Sequence, residues 1–127
     1  MTRLLFALGL LCAFAGCATI KRANDYGNIR MENGDEPVET IEIENSSWLL
    51  FKFIPLGSGD PYAPNEVSCR LFRNTVTLQN NLDMLDQEMK RVKASKVSNV
   101  VSRKTDETIL IILLTRHAYH TSAVLLK

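Results

Sequence analysis

The stretch LQNNLDMLDQEMKRV, residues 78–92, decides how the rest of the chain is read. Leu78, Leu82, Leu85, Met89 and Val92 recur at alternating intervals of four and three, which gathers them on one face of an α-helix. Thr75 or Thr77 can cap its start through a side-chain hydroxyl. Asp83 and Asp86 fall in the first half and Lys90, Arg91, Lys93 and Lys96 in the second or just beyond, an order that complements the helix dipole. The pattern ends before three heptads, so the apolar face is expected to pack on a core and not to form a coiled coil. Asp83 and Asp86 also share a face. A solvated surface with an Asp86–Lys90 ion pair accounts for them better than a carboxylate dyad does.

The segments after the helix read as strands. Val97 to Arg103 is the first, and Thr105-Asp106-Glu107 is expected to be a polar turn. Thr108 to Thr115, TILIILLT, suits a central strand and is too short to span a bilayer as a helix, which takes about 20 apolar residues. Arg116 to His120 reads as a turn or a continuation, and Ser122 to Leu126 as a last strand. Before the helix, Ile41 to Glu44 alternates as a short edge strand, and Asn45-Ser46-Ser47 has turn chemistry. Trp48 to Ile54, WLLFKFI, reads as one strand buried on both faces. Pro55 to Asn65, PLGSGDPYAPN, is expected to be a long loop. Val67 to Phe72 is a short strand or the approach to the helix. The expected fold is therefore α+β: a small antiparallel or mixed sheet of four to five strands, residues 41–127, with one amphipathic helix packed on a face.

A chain of 127 residues allows one domain, and a net charge of +1 exerts no overall pull on a partner. The charge is unevenly spread, however. Residues 24–66 hold nine acids and two bases, whereas residues 67–127 hold ten bases and five acids. Opposite halves in a neutral chain point to complementary faces within one fold and away from nucleic acid.

Several residues are candidates for chemistry. Gly57, Gly59, Asp60 and Tyr62 lie in the long loop, and Trp48 lies just before it. Long loops in compact domains are commonly functional, so these five are the candidate partner-binding residues. His117 and His120 form H-x-x-H, a weak candidate metal pair: on a helix both rings share a face, on a strand they oppose. No third ligand lies close by, and no cofactor is implied. Cys69 is expected to be a small buried apolar residue, with a thiol-dependent enzyme as the remote alternative. No catalytic motif surrounds any of these side chains, so the chain is expected not to be an enzyme.

The N-terminus speaks to location. Met1-Thr2-Arg3 is a short positive region, Leu4 to Phe14 is apolar, and Ala15-Gly16 are small, which is the layout of a secretory signal. Phe14-Ala15-Gly16-Cys17 resembles the lipobox of bacterial lipoproteins, although Phe14 stands where leucine is commonest. That resemblance implies that residues 1–16 are a cleaved signal peptide and that Cys17 is diacylated on sulfur and then acylated on its amine. Two or three acyl chains anchor a protein stably where one does not. Ala18 rather than aspartate follows the cysteine, which by analogy implies the outer membrane, facing the periplasm. Residues 17–40 are expected to be the lipidated cysteine and a flexible tether, about 20 residues reaching a few nanometres. The whole is similar to small bacterial envelope lipoproteins. The expected function is a membrane-anchored, non-enzymatic binding or assembly module, its partner an envelope protein or a second copy. The alternative is a periplasmic small-ligand or metal carrier using His117 and His120.

Overall fold

A computed structural model describes residues 16–24, 34–66, 68–110 and 113–127. The expected signal peptide lies outside them except for Gly16. The described residues form six strands and one helix: β1 (Ala18–Ala23), β2 (Pro37–Leu50), β3 (Ile54–Gly59), β4 (Cys69–Leu71), α1 (Leu78–Val92), β5 (Lys96–Leu110) and β6 (Leu114–Leu126). The sheet runs β4-β3-β2-β6-β5 with β1 also on β2, and every pairing is antiparallel. The α+β class is as expected, with six strands in place of four to five.

Strand β2 is the spine. One of its edges pairs with β6 from Pro37 to Leu50. The other is shared end to end: β1 takes Thr40 to Asn45, and β3 takes Ser47 to Leu50. Asn45, Ser46 and Ser47 are therefore buried mid-strand and are not a turn. Their polar atoms are largely satisfied there. Asn45 Nδ2 donates to Thr75 O (2.7 Å), and the Ser47 hydroxyl donates to Asn74 Oδ1 (3.2 Å). Strand β1 falls in the stretch expected to be tether, and β2 begins within it as well. The sixth strand comes from there.

The run at 48–54 does not continue as one strand. Leu50 to Phe53 is a tight turn, closed by Phe53 N donating to Leu50 O (3.3 Å), with Phe51 at φ 52° and Lys52 at φ 68°. Two left-handed central residues make a primed turn, whose twist suits a hairpin. Neither is Gly, Asn or Asp, so nothing local announces the turn. Strand β3 then occupies the first half of the expected loop, between β2 and β4. Pro55 is tolerated because it lies at the start of β3, beside a register shift at Trp48/Leu49 and outside the stretch that pairs with β4.

On the other side of the sheet the expected turn and strand also exchange places. Thr105-Asp106-Glu107 lies within β5, opposite Ala118-His117-Arg116. At the two ends of the apolar run, Thr108 lies opposite Thr115 and Leu110 opposite Leu114. The described residues of 108–115 are thus divided between β5 and β6 and do not form one central strand. A bulge between Ser98 and Val101, with Asn99 at φ 52°, bends β5 near its start.

Helix α1 is capped by the Thr77 hydroxyl, which accepts from Asn80 N (3.1 Å). It packs on one end of a sheet face. Met84 and Leu85 meet Ala18, Ile20, Ile41, Ile43, Ala123 and Leu125, with Met89 and Val92 at the margin. Each fully buried large aliphatic residue here is worth about 1.5–3 kcal/mol. The leucine stripe locates the helix but not its orientation: Leu78 and Leu82 are 43% and 38% exposed, while Asn81 and Glu88 are buried. The helix is rolled by a little under one residue's turn toward these two because both find partners. Asn81 Nδ2 donates to Tyr119 O and Thr121 Oγ1, each at 3.1 Å, and Glu88 takes two arginines.

The charge asymmetry resolves into pairs across the fold. Asp35 meets Lys96 (2.9 Å), and Glu39 and Glu44 meet Arg91 and Arg116. On the helix, Asp86 pairs with Lys90 and Asp83 accepts from Gln79 Nε2 (2.8 Å), so the two aspartates form no dyad.

Candidate functional site

Cys17 lies where β1 and β3 meet on the edge of β2. Its N–H donates to Ser46 Oγ (3.0 Å), and its carbonyl accepts from Ser46 N (2.8 Å). Its side chain is exposed. Asn65 holds the outer edge of the same segment. Its side chain exchanges two hydrogen bonds with the Ile20 backbone (2.9 and 3.1 Å), and its N–H donates to Ala18 O (2.9 Å). The backbone around Cys17 is fixed while its sulfur is free to be modified.

The five candidate partner-binding residues separate. Gly57 and Gly59 are buried in β3, their backbone in ladders with β2 or β4. A Cβ on Gly59 would lie 2.1 Å from Ala18 N and 2.3 Å from Cys17 C, so this glycine makes room for the backbone of Cys17 and Ala18. Trp48 is half-buried on β2, opposite Gly57 and Arg116. Asp60 and Tyr62 remain together at the surface, joined by Arg70. Asp60 Oδ2 lies 3.0 Å from Arg70 Nε, and the Arg70 guanidinium sits 5.7 Å from the Tyr62 ring centre. Partial burial pushes the Asp60 carboxyl up, but hydrogen bonds from Arg70 and from Tyr62 N–H outweigh it and hold the group below its ordinary range. Tyr62 is 66% exposed.

His117 and His120 are both on β6, three residues apart, so their rings fall on opposite faces. His117 pairs through Nδ1 with Asp106 on the helix side of the sheet, and His120 lies 4.0 Å from Glu44 on the other. They do not converge on one ion, and no cluster of three metal-ligating side chains occurs among the described residues. Cys69 is exposed on the edge strand β4, not buried. Two intervening strands, about 14 Å, separate it from β6 and from either histidine.

The His117–Asp106 pair belongs to a larger feature. Strands β2 and β6 run past the start of α1 by two residue pairs, Ser47–His117 and Leu49–Thr115, and β5 runs alongside. The uncovered floor forms a recess of about 400 Å³. Leu49, Thr108, Thr115 and His117 line it from the sheet, Lys104 and Asp106 from β5, Asn74 from the approach to the helix and Lys52 from the hairpin turn. Thr115 is 4% exposed, and its Oγ1 has no hydrogen-bond partner among the described residues. An unmade bond at such a group costs about 1–3 kcal/mol. Lys104, Asp106, Thr115 and Asn74 are not apparent as site residues in the sequence. The signal that would find them is the alternation Lys104-x-Asp106-x-Thr108 facing Thr115-x-His117, which exists only if 105–107 is strand.

No family model, curated protein or solved structure matches this chain. The geometry of these sites therefore stands on its own.

Proposed function

We propose that this protein is a membrane-anchored envelope lipoprotein whose folded part is a non-enzymatic binding or assembly module, held at the periplasmic face of the outer membrane. The observation that carries this reading is the coincidence of Ala15-Gly16-Cys17, after an apolar signal, with an exposed side chain at Cys17. Acyl chains on that sulfur can leave the fold for the bilayer without disturbing the backbone bonds to Ser46. No helix among the described residues is long and apolar enough to cross a membrane. Because β1 starts one residue after the anchor, the sheet itself lies against the headgroups. The exposed Tyr62, braced by Arg70, is the remaining candidate contact from the 55–65 segment for an envelope protein or a second copy.

The test is the intact mass of the protein extracted from its native membrane in mild detergent. A chain beginning at Cys17 with two or three acyl chains is expected. An unmodified chain beginning near residue 17 overturns the anchor. Tyr62→Ala then asks whether chemical crosslinking to the captured partner, or to a second copy, is lost.

The second reading, a small-ligand carrier, draws support from the recess at His117. Its metal-binding form does not, because His120 faces away.

A further inference from the structure

We propose that the recess beyond the start of α1 binds a small molecule through a phosphate group. This deepens the ligand-carrier reading above and is independent of the lipid anchor. The lining is rich in donors and short of acceptors. Lys52 and Lys104 bring two ammonium groups from different elements, the β2–β3 turn and β5. Asn74 Oδ1 is already engaged by the Ser47 hydroxyl (3.2 Å) and Val76 N (3.0 Å), which leaves its Nδ2 to donate. Asp106 is the lone carboxylate of the lining. It is occupied by His117 Nδ1 and lies 3.8 Å from Lys104 Nζ, so its charge is offset from two sides. His117 Nε2 is left over and, with the ring proton on Nδ1 toward Asp106, accepts and does not donate. The Thr115 hydroxyl is buried in the floor with no partner among the described residues.

These donors come from four separate backbone segments. A tetrahedral oxyanion, with several acceptor oxygens, satisfies such a set, and a planar carboxylate reaches fewer of its members. A recess of about 400 Å³ is within the range of small-molecule sites and larger than phosphate alone. The remainder leaves room for an organic part against Leu49 and the Thr108 methyl. The phosphate can come from a soluble phosphorylated compound or from a lipid headgroup, and both present the same chemistry to these residues.

The experiment uses the full protein in mild detergent, titrated calorimetrically with inorganic phosphate and with glycerol 3-phosphate. Flotation with phosphatidylglycerol or phosphatidylcholine vesicles is measured in parallel on residues 17–127 carrying Cys17→Ser, a chain without acyl groups, so that an anchor cannot carry the binding. Saturable binding of glycerol 3-phosphate is expected, weakened about tenfold by Thr115→Val and by Lys104→Gln and retained in Thr115→Ser. Loss of vesicle binding in Lys104→Gln, together with its competition by glycerol 3-phosphate, assigns the site to headgroups. Vesicle binding indifferent to Lys104, with the soluble ligand still bound, assigns it to soluble compounds. Two results overturn the proposal: no saturation by either soluble probe up to about 10 mM, or equal affinity in the parent, Lys104→Gln and Thr115→Val proteins. Lys104 is about half exposed, so its variant folds whatever happens at Thr115. The mass measurement on Cys17 can fail without touching this result, and the reverse also holds.

Discussion

Arg22 and Glu88 join the first strand to the helix through two parallel bonds. Arg22 Nε donates to Oε2 and Nη2 to Oε1, both at 2.8 Å. Arg91 donates to the same carboxylate from one turn further along the helix (2.8 Å). The Glu88 side chain is 6% exposed, and Arg22 is partly open to solvent. Removing the charge leaves two arginines around a neutral amide. Glu88→Gln is expected to cost about 2 kcal/mol, below the range for fully buried pairs because solvent screens Arg22. Chemical denaturation measures the loss. Amide exchange at Ile20 and Arg22 should rise more than exchange at Ile43.

The same contact sets an acid dependence. The hydrogen bond from Arg22, with help from Arg91, holds Glu88 below its ordinary value of 4.5 against the opposing effect of burial. A carboxyl depressed by folding stabilises the native state fully above its unfolded pKa and loses that contribution as pH falls through its folded one. Stability should therefore drop on acidification below about pH 4.5. In Glu88→Gln that part of the slope should be absent. An unchanged acid limb in the variant would show that other carboxylates carry it.

Gly59 faces the backbone of Cys17 and Ala18 at distances no Cβ can share. The obstacle is space and not backbone angle. Gly59→Ala is expected to destabilise by about 2–3 kcal/mol, since neither flanking backbone can swing aside as a side chain would. Thermal melting measures this, and limited proteolysis between residues 17 and 24 should become faster in the variant. Unchanged melting and cleavage would place β1 elsewhere.

Lys52 holds a left-handed conformation that suits glycine, at φ 68°. Lys52→Gly should stabilise the hairpin by about 1 kcal/mol while weakening phosphate capture. Lys93, at φ 56° after the last turn of α1, is the matched control. Lys93→Gly should stabilise similarly with binding untouched. A stabilised Lys52→Gly protein that binds as before removes Lys52 from the site.

The helix is legible in the sequence because Leu82, Leu85 and Met89 obey its period. Its roll is not, because Asn81 and Glu88 are buried only by virtue of Thr121 and Arg22, which lie far away in sequence. Polar residues with distant partners explain the other differences too. Asn45-Ser46-Ser47 reads as a turn until Thr75, Cys17 and Asn74 are placed beside it. The reverse error occurs at Phe51-Lys52, where a turn is made inside an apolar, aromatic run that reads as strand. The opposed faces of His117 and His120 follow from the strand alone, whereas Asp106 and Thr115 become site residues only once β5 and β6 are paired.

The arrangement of β1 on β2 also fixes how the fold bears load. Tension drawn from Cys17 along the strand axis is shared by all the β1–β2 bonds at once and by the Arg22–Glu88 clasp behind them. Tension drawn across the strand meets them singly, starting with the two bonds to Ser46. A molecule held at Cys17 resists pulls along the axis of β1 and peels under pulls across it, so the direction of force decides whether the first strand stays seated.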